Sequence, residues 1–167
     1  MNTPVRITLE RPDDFDGWRN AARDLFQSGV PPEQVVWTVE GEDTDLFGTE
    51  APRAGVAAAA PALSVPRPFV SLAETVVCHS DPQRFALLYA MLWKLQADRR
   101  ALEDRADPLV DRLESLAKEV RRDAHKMHAF VRFREVAEPD GTERFVAWFE
   151  PDHHIVRREA GFFVRRF

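Results

Sequence analysis

The sequence predicts an α+β fold: a single domain with a helical middle, a C-terminal β-hairpin, and short N-terminal strands forming a small sheet. Three observations carry this. Strand formers flank an amphipathic stretch at the start of the chain. Asp-Pro pairs open long helical periodicities in the middle, enough for about three to five helices. The last third returns to a period of two, interrupted by a Gly-bearing turn. A length of 167 residues suits one domain, residues 1–167.

Val5, Ile7 and Leu9 alternate with polar neighbours, as in a half-buried strand. Asp13 and Asp14 precede Phe15, Trp18, Ala22, Leu25 and Phe26 at helical spacing, and Gly29 stops the run. Pro31-Pro32 breaks the chain before a second strand, Val35–Val39. Residues 41–68 are rich in Pro and Ala and read as a surface connection, with an extended edge segment at Leu63–Val65.

A short helix is expected at Val70–Val77. Asp81-Pro82 opens a central helix through Phe85, Leu88, Tyr89, Leu92 and Leu95. Asp107-Pro108 opens another through Leu113, Leu116 and Val120 to His125, with Arg112, Glu119, Arg122 and Asp123 on its opposite face. Ala129, Val131 and Phe133 then alternate, as do Phe145, Ala147 and Phe149. Glu138–Thr142 between them completes a hairpin. Pro151-Asp152 reads as the start of a last helix through Ile155 and Phe163, capped by Asp152.

Hydrophobic residues make up 44% and charged residues 31%, a balance that excludes wholesale disorder. The single cysteine, Cys78, excludes a disulfide framework and Cys-rich metal sites. No apolar run spans a membrane, and Met1–Glu10 lacks a basic-then-apolar leader, so a cytoplasmic location is expected. The net charge of −5 argues against an indiscriminate nucleic-acid coat. It is unevenly spread, −7 over residues 1–83 and +2 over 84–167, with a basic concentration at Lys118–Arg134. Arg121, Arg122, Lys126, Arg132 and Arg134 are candidate phosphate contacts, because guanidinium forks match phosphate oxygens.

Phosphate-cradling glycine loops, a nucleophile elbow and a zinc-deaminase signature are all missing from the sequence. His125 and His128 share a helical face, and His153 and His154 adjoin Glu150 and Asp152. His128, Glu150 and His153 are therefore candidate catalytic residues for acid–base or metal-assisted work, with the metal left open. No cofactor is implied. Cys78 beside His79 is read as a buried, inert thiol, and Trp18, Trp37, Trp93 and Trp148 as core residues.

The strings Lys126–Glu135 and Trp148–His153, with Phe85–Tyr89, Asp107–Val110 and Phe162–Phe167, resemble a bacterial family of unknown function described as a DNA-metabolism protein. In that family the genes lie beside a DNA-repair radical-SAM protein, and the domain occurs fused to the N-terminus of UdgX-type uracil-DNA glycosylases. The resemblance implies an accessory domain of DNA repair that binds DNA, or one of those two proteins, through a basic hairpin face. It also implies a longer polypeptide, since family members continue with another strand. The glycosylase motifs themselves do not occur here, so uracil excision is not implied. Two other functions fit the residues alone: an acid–base or metal-assisted enzyme acting on DNA, and a protein-interaction domain without nucleic-acid contact.

Overall fold

The computed structural model describes residues 4–42 and 62–166. The chain opens with β1 (Val5–Leu9), α1 (Phe15–Gln27) and β2 (Val35–Val39). The two strands pair in parallel, Val5 opposite Val35 and Leu9 opposite Val39, with α1 as the crossover. Asp14 caps α1 by accepting the Gly17 N–H at 3.0 Å. Gly29, at φ 69°, turns the chain out of the helix.

Most of the Pro- and Ala-rich connection, residues 43–61, lies outside the described residues. Leu63–Val65 is not a strand: Leu63 and Val65 instead pack against the core. α2 (Arg67–Val76) begins three residues before Val70. Pro66 and Pro68 lie at its entry, where a missing N–H is not needed by the helix.

α3 (Arg84–Ala97) starts after the Asp81-Pro82 pair rather than at it. The Asp81 carboxylate accepts the Gln83 N–H at 2.8 Å and holds a turn ahead of the helix. α4 (Pro108–Phe130) is capped by Asp107, which accepts the Leu109 N–H at 2.8 Å. It runs past His125 to Phe130. The hairpin keeps the Glu138–Thr142 turn but is shorter than expected: β3 is Arg134–Ala137 and β4 Glu143–Val146, paired antiparallel, so Ala147 and Phe149 lie beyond the strand. Ala129, Val131 and Phe133 do not form a strand. Met127 and Val131 are both buried and sit one helical turn apart, a spacing of four that also satisfies a period of two. α5 (Val156–Val164) begins beyond Pro151-Asp152, so Asp152 is not its cap and instead pairs with Lys126 at 3.6 Å.

Among the described residues this makes five α-helices and two separate two-stranded sheets, an α+β architecture. The larger core joins α1, both N-terminal strands, α2, α3 and the first half of α4, around Trp18, Phe69, Phe85, Leu88, Leu113 and Leu116. The Trp18 indole N–H donates to the Phe85 carbonyl at 3.2 Å. Tyr89 donates to the Val30 carbonyl at 2.6 Å, and burial pushes its pKa up to about 12. A second, smaller core gathers Cys78, Val120, Met127, Val131 and Ile155, with Phe133, Ala147, Phe149 and Phe163 packed on it. It seats the C-terminal third of the chain on α4. Trp148 belongs to neither core: it is 84% exposed, contrary to the expectation of a core position.

Candidate functional site

Two features stand out where the hairpin meets α4. The first is the hairpin surface. The register places Arg134 opposite Val146 and Val136 opposite Arg144, so these four side chains share one face. Glu135, Phe145, Ala137 and Glu143 share the other. Every residue of both strands is exposed. Cations and acids are thus sorted onto opposite faces by the period of two. Glu138 offsets Arg144 in part, at 3.0 Å. Beyond β4, Ala147 and Phe149 reach the second core while Trp148 stands in solvent, and Phe130, at the end of α4, is 68% exposed.

The second feature is a polar cluster where the loop before α5 docks on the α2–α3 turn and on α4. The His153 backbone N–H donates to Asp123 Oδ2 at 2.8 Å, and the His154 N–H donates to the Cys78 carbonyl at 2.7 Å. The Ser80 N–H donates to His153 Nδ1 at 3.1 Å, and the Asp81 N–H donates to His79 Nδ1 at 2.8 Å. His79 Nε2 lies 2.8 Å from Glu119 Oε2. That bond, above all, holds the Glu119 carboxyl below its ordinary range. The His79 and His153 rings pack 4.0 Å apart.

His79, Glu119 and His153 offer ligand atoms within 4.8 Å of one another, a donor set of a kind that zinc accepts. Their hydrogen bonds do not fit a cation. A metal-bound imidazole gives one lone pair to the metal and donates its other N–H. Here each Nδ1 already accepts a backbone N–H, so each ring keeps its proton on Nε2. A metal at Nε2 would require an imidazolate or the rupture of those bonds. The arrangement holds protons, and the His79 Nε2–H donates to Glu119.

The candidate catalytic residues do not gather. His128 pairs with Glu159 at 2.7 Å and stacks on Phe162 at 3.9 Å. Glu150 is exposed, and only His153 enters the cluster. The candidate cations also divide. Arg121 and Lys126 lie five residues apart on α4, about 140° around its axis. Arg121 lines a groove of about 780 Å³ with Arg157 and Arg158, where Asp13, Glu74 and Glu114 balance the three guanidiniums. Lys126 is drawn to Asp152 on the other flank, and Arg122 is exposed. Arg132 turns back onto the Ala129 and Val131 carbonyls at 2.8 and 3.0 Å, closing the end of α4. Arg134 stands on the cationic hairpin face.

Cys78 is buried, and desolvation raises its thiol pKa, which fits an inert side chain. Sequence reasoning did not find Ser80, Glu119 and Asp123 as one group, because they come from separate elements. One signal was present. Asp123 follows Leu116 and Val120 at i+7 and i+3, on the buried stripe of α4, where a carboxylate needs a partner. It is 3% exposed, not on the solvent face.

A family model described as a domain of unknown function (DUF4130) matches residues 82–167, the stretch from the start of α3 through the hairpin and α5. The chain belongs to that family. No curated protein and no solved structure matches the chain.

Proposed function

We propose that the chain is an accessory domain of DNA metabolism that contacts nucleic acid through its C-terminal hairpin. One observation carries the reading: Arg134 and Arg144 share an exposed face with Val136 and Val146, the strand acids Glu135 and Glu143 lie on the reverse with Glu138 pairing Arg144, and the exposed Trp148 follows at once. Guanidinium forks suit phosphate oxygens, and an exposed indole suits the faces of unpaired bases. The chain's net charge of −5 disfavours an indiscriminate coat of nucleic acid and favours a local patch such as this face. The resemblance to a DNA-metabolism family supports the same reading.

Trp and Arg also anchor protein interfaces. A radical-SAM protein or a UdgX-type glycosylase docking on this face is therefore the alternative to DNA. The test is fluorescence of the whole chain titrated with single-stranded and duplex oligonucleotides. Quenching that disappears in Trp148→Ala supports direct contact with nucleic acid. An unchanged spectrum at low salt rejects DNA as the ligand and leaves the protein partner.

A further inference from the structure

We infer that the loop between the hairpin and α5 is a pH-gated latch, held shut by the Ser80 backbone N–H, which only a deprotonated His153 Nδ1 can accept. Two contacts in the cluster have the same polarity. The Ser80 N–H points at His153 Nδ1 and the Asp81 N–H at His79 Nδ1. The His153 ring already carries a proton on Nε2, so a second proton can land only on Nδ1. There it would face the Ser80 N–H head-on and that hydrogen bond would be lost, the new proton turning instead to the Ser80 Oγ, 3.1 Å from Nδ1.

Charged groups surround the latch on every side. The α2–α3 turn contributes His79 and Asp81, the latter paired with Arg112. α4 contributes Glu119, Asp123 and Lys126, and the loop itself Asp152 and His154. Arg84, Glu42 and Asp13 act on His154. Asp123, Glu119 and Asp152 favour a charged His153, but burial and then His79 outweigh them. A proton at Nδ1 displaces the Ser80 backbone N–H wherever the counter-charge sits, even where the Ser80 Oγ accepts that proton.

Protonation removes one of several ties on the loop, which the Lys126–Asp152 pair also holds. The His153 N–H to Asp123 and the His154 N–H to Cys78 do not depend on imidazole charge. The released side chain regains solvent and binds its proton more tightly, so acid drives the opening. The segment that leads from Trp148 through Phe149 into the second core is thereby loosened, whatever the hairpin binds.

The test is hydrogen exchange of the Ser80, His153 and His154 amides in the whole chain between pH 7.5 and 5.0, corrected for the intrinsic pH dependence. Protection of the Ser80 amide is expected to fall roughly tenfold per pH unit below the His153 pKa, as coupling to one proton requires. In His153→Gln the side-chain carbonyl accepts the same N–H without titrating, and protection is expected to stay flat. Constant protection in the natural chain overturns the latch, as does an equally steep loss in His153→Gln. Where that variant does not fold, NMR of the His153 ring in the natural chain decides. An Nε2–H tautomer titrating below about 6.5 upholds the latch; an Nδ1–H tautomer, or titration above that value, overturns it.

Discussion

The carboxylate of Asp123, on the buried side of α4, accepts the backbone N–H of His153 at 2.8 Å and so fixes the exit of the hairpin to the longest helix. Asp123 is 3% exposed, and its partner is a main-chain donor that cannot turn away. Removing the acceptor leaves that donor short of a partner, at a cost of about 1–3 kcal/mol. Asp123→Ala is expected to lower the unfolding free energy by that amount, read as a lower urea midpoint, and to raise amide exchange in residues 150–155 first. Asp123→Asn keeps an acceptor and should cost less. Equal effects from the two variants would show that the hydrogen bond is not the cause.

Arg84 is the other buried charge that organises this end of the molecule. Its guanidinium donates to the carbonyls of Val77, Asp81 and Pro12 and lies 4.1 Å from the centre of the Phe85 ring. Three carbonyls, two from the α2–α3 turn and one from the segment before α1, converge on one planar fork. Arg84→Ala is expected to destabilise the fold by about 3 kcal/mol or more, through unsatisfied acceptors and a lost stack. Arg84→Lys cannot reproduce the fork and should recover only part. Thermal melts of both variants check this, and a melt of Arg84→Lys matching the natural chain would contradict it.

Stability is expected to fall in mild acid. Burial lowers the pKa of both His153 and His154, helped by His79 for the first and by Arg84 for the second. A lowered value means that the folded chain binds fewer protons than the unfolded chain near neutrality. The stabilisation is complete above the unfolded value of about 6.5, and is lost as pH falls from there through the folded value. The ceiling is about 1.4 kcal/mol per pH unit for each ring, reduced because both are partly solvated. Urea midpoints at pH 7.5 and 5.5 measure it. Equal midpoints would count against buried, neutral imidazoles.

Trp148 separates binding from folding. At 84% exposure it contributes little to packing, so Trp148→Ala should leave the urea midpoint within about 0.5 kcal/mol of the natural chain. Its loss should fall on ligand contact instead. A large drop in stability would mean that the indole supports the fold, and would remove it from the proposed interface.

Much of the fold was legible because local chemistry agreed with the tertiary answer. Asp14 and Asp107 cap the helices they precede, Gly141 takes φ 82° in the hairpin turn, and the N-terminal strands form where strand formers cluster. Boundaries slipped where two periods coincide. Met127 and Val131 satisfy a helical turn and a strand alternation equally, so the strand was placed too early. Asp152 looked like a cap, yet it follows a loop whose backbone is held by Asp123 and Cys78 rather than by a helix.

The site was less legible than the fold. Arg134 was readable as a cation on a strand, but its companion Arg144 depends on cross-strand register, which the sequence alone does not fix. Trp148 looked apolar, and the residues that bury its neighbours Ala147 and Phe149 come from α4 and α5. The partners of His153 lie in the α2–α3 turn and α4, and no spacing rule connects those segments.

The most direct measurement is fluorescence anisotropy of a labelled oligonucleotide bound by the whole chain across a salt series. The hairpin account predicts affinity that weakens as salt rises, with a shallower slope and weaker binding in Arg134→Ala combined with Arg144→Ala. Binding that is missing at low salt, or that keeps the same strength and slope in the double variant, would contradict it.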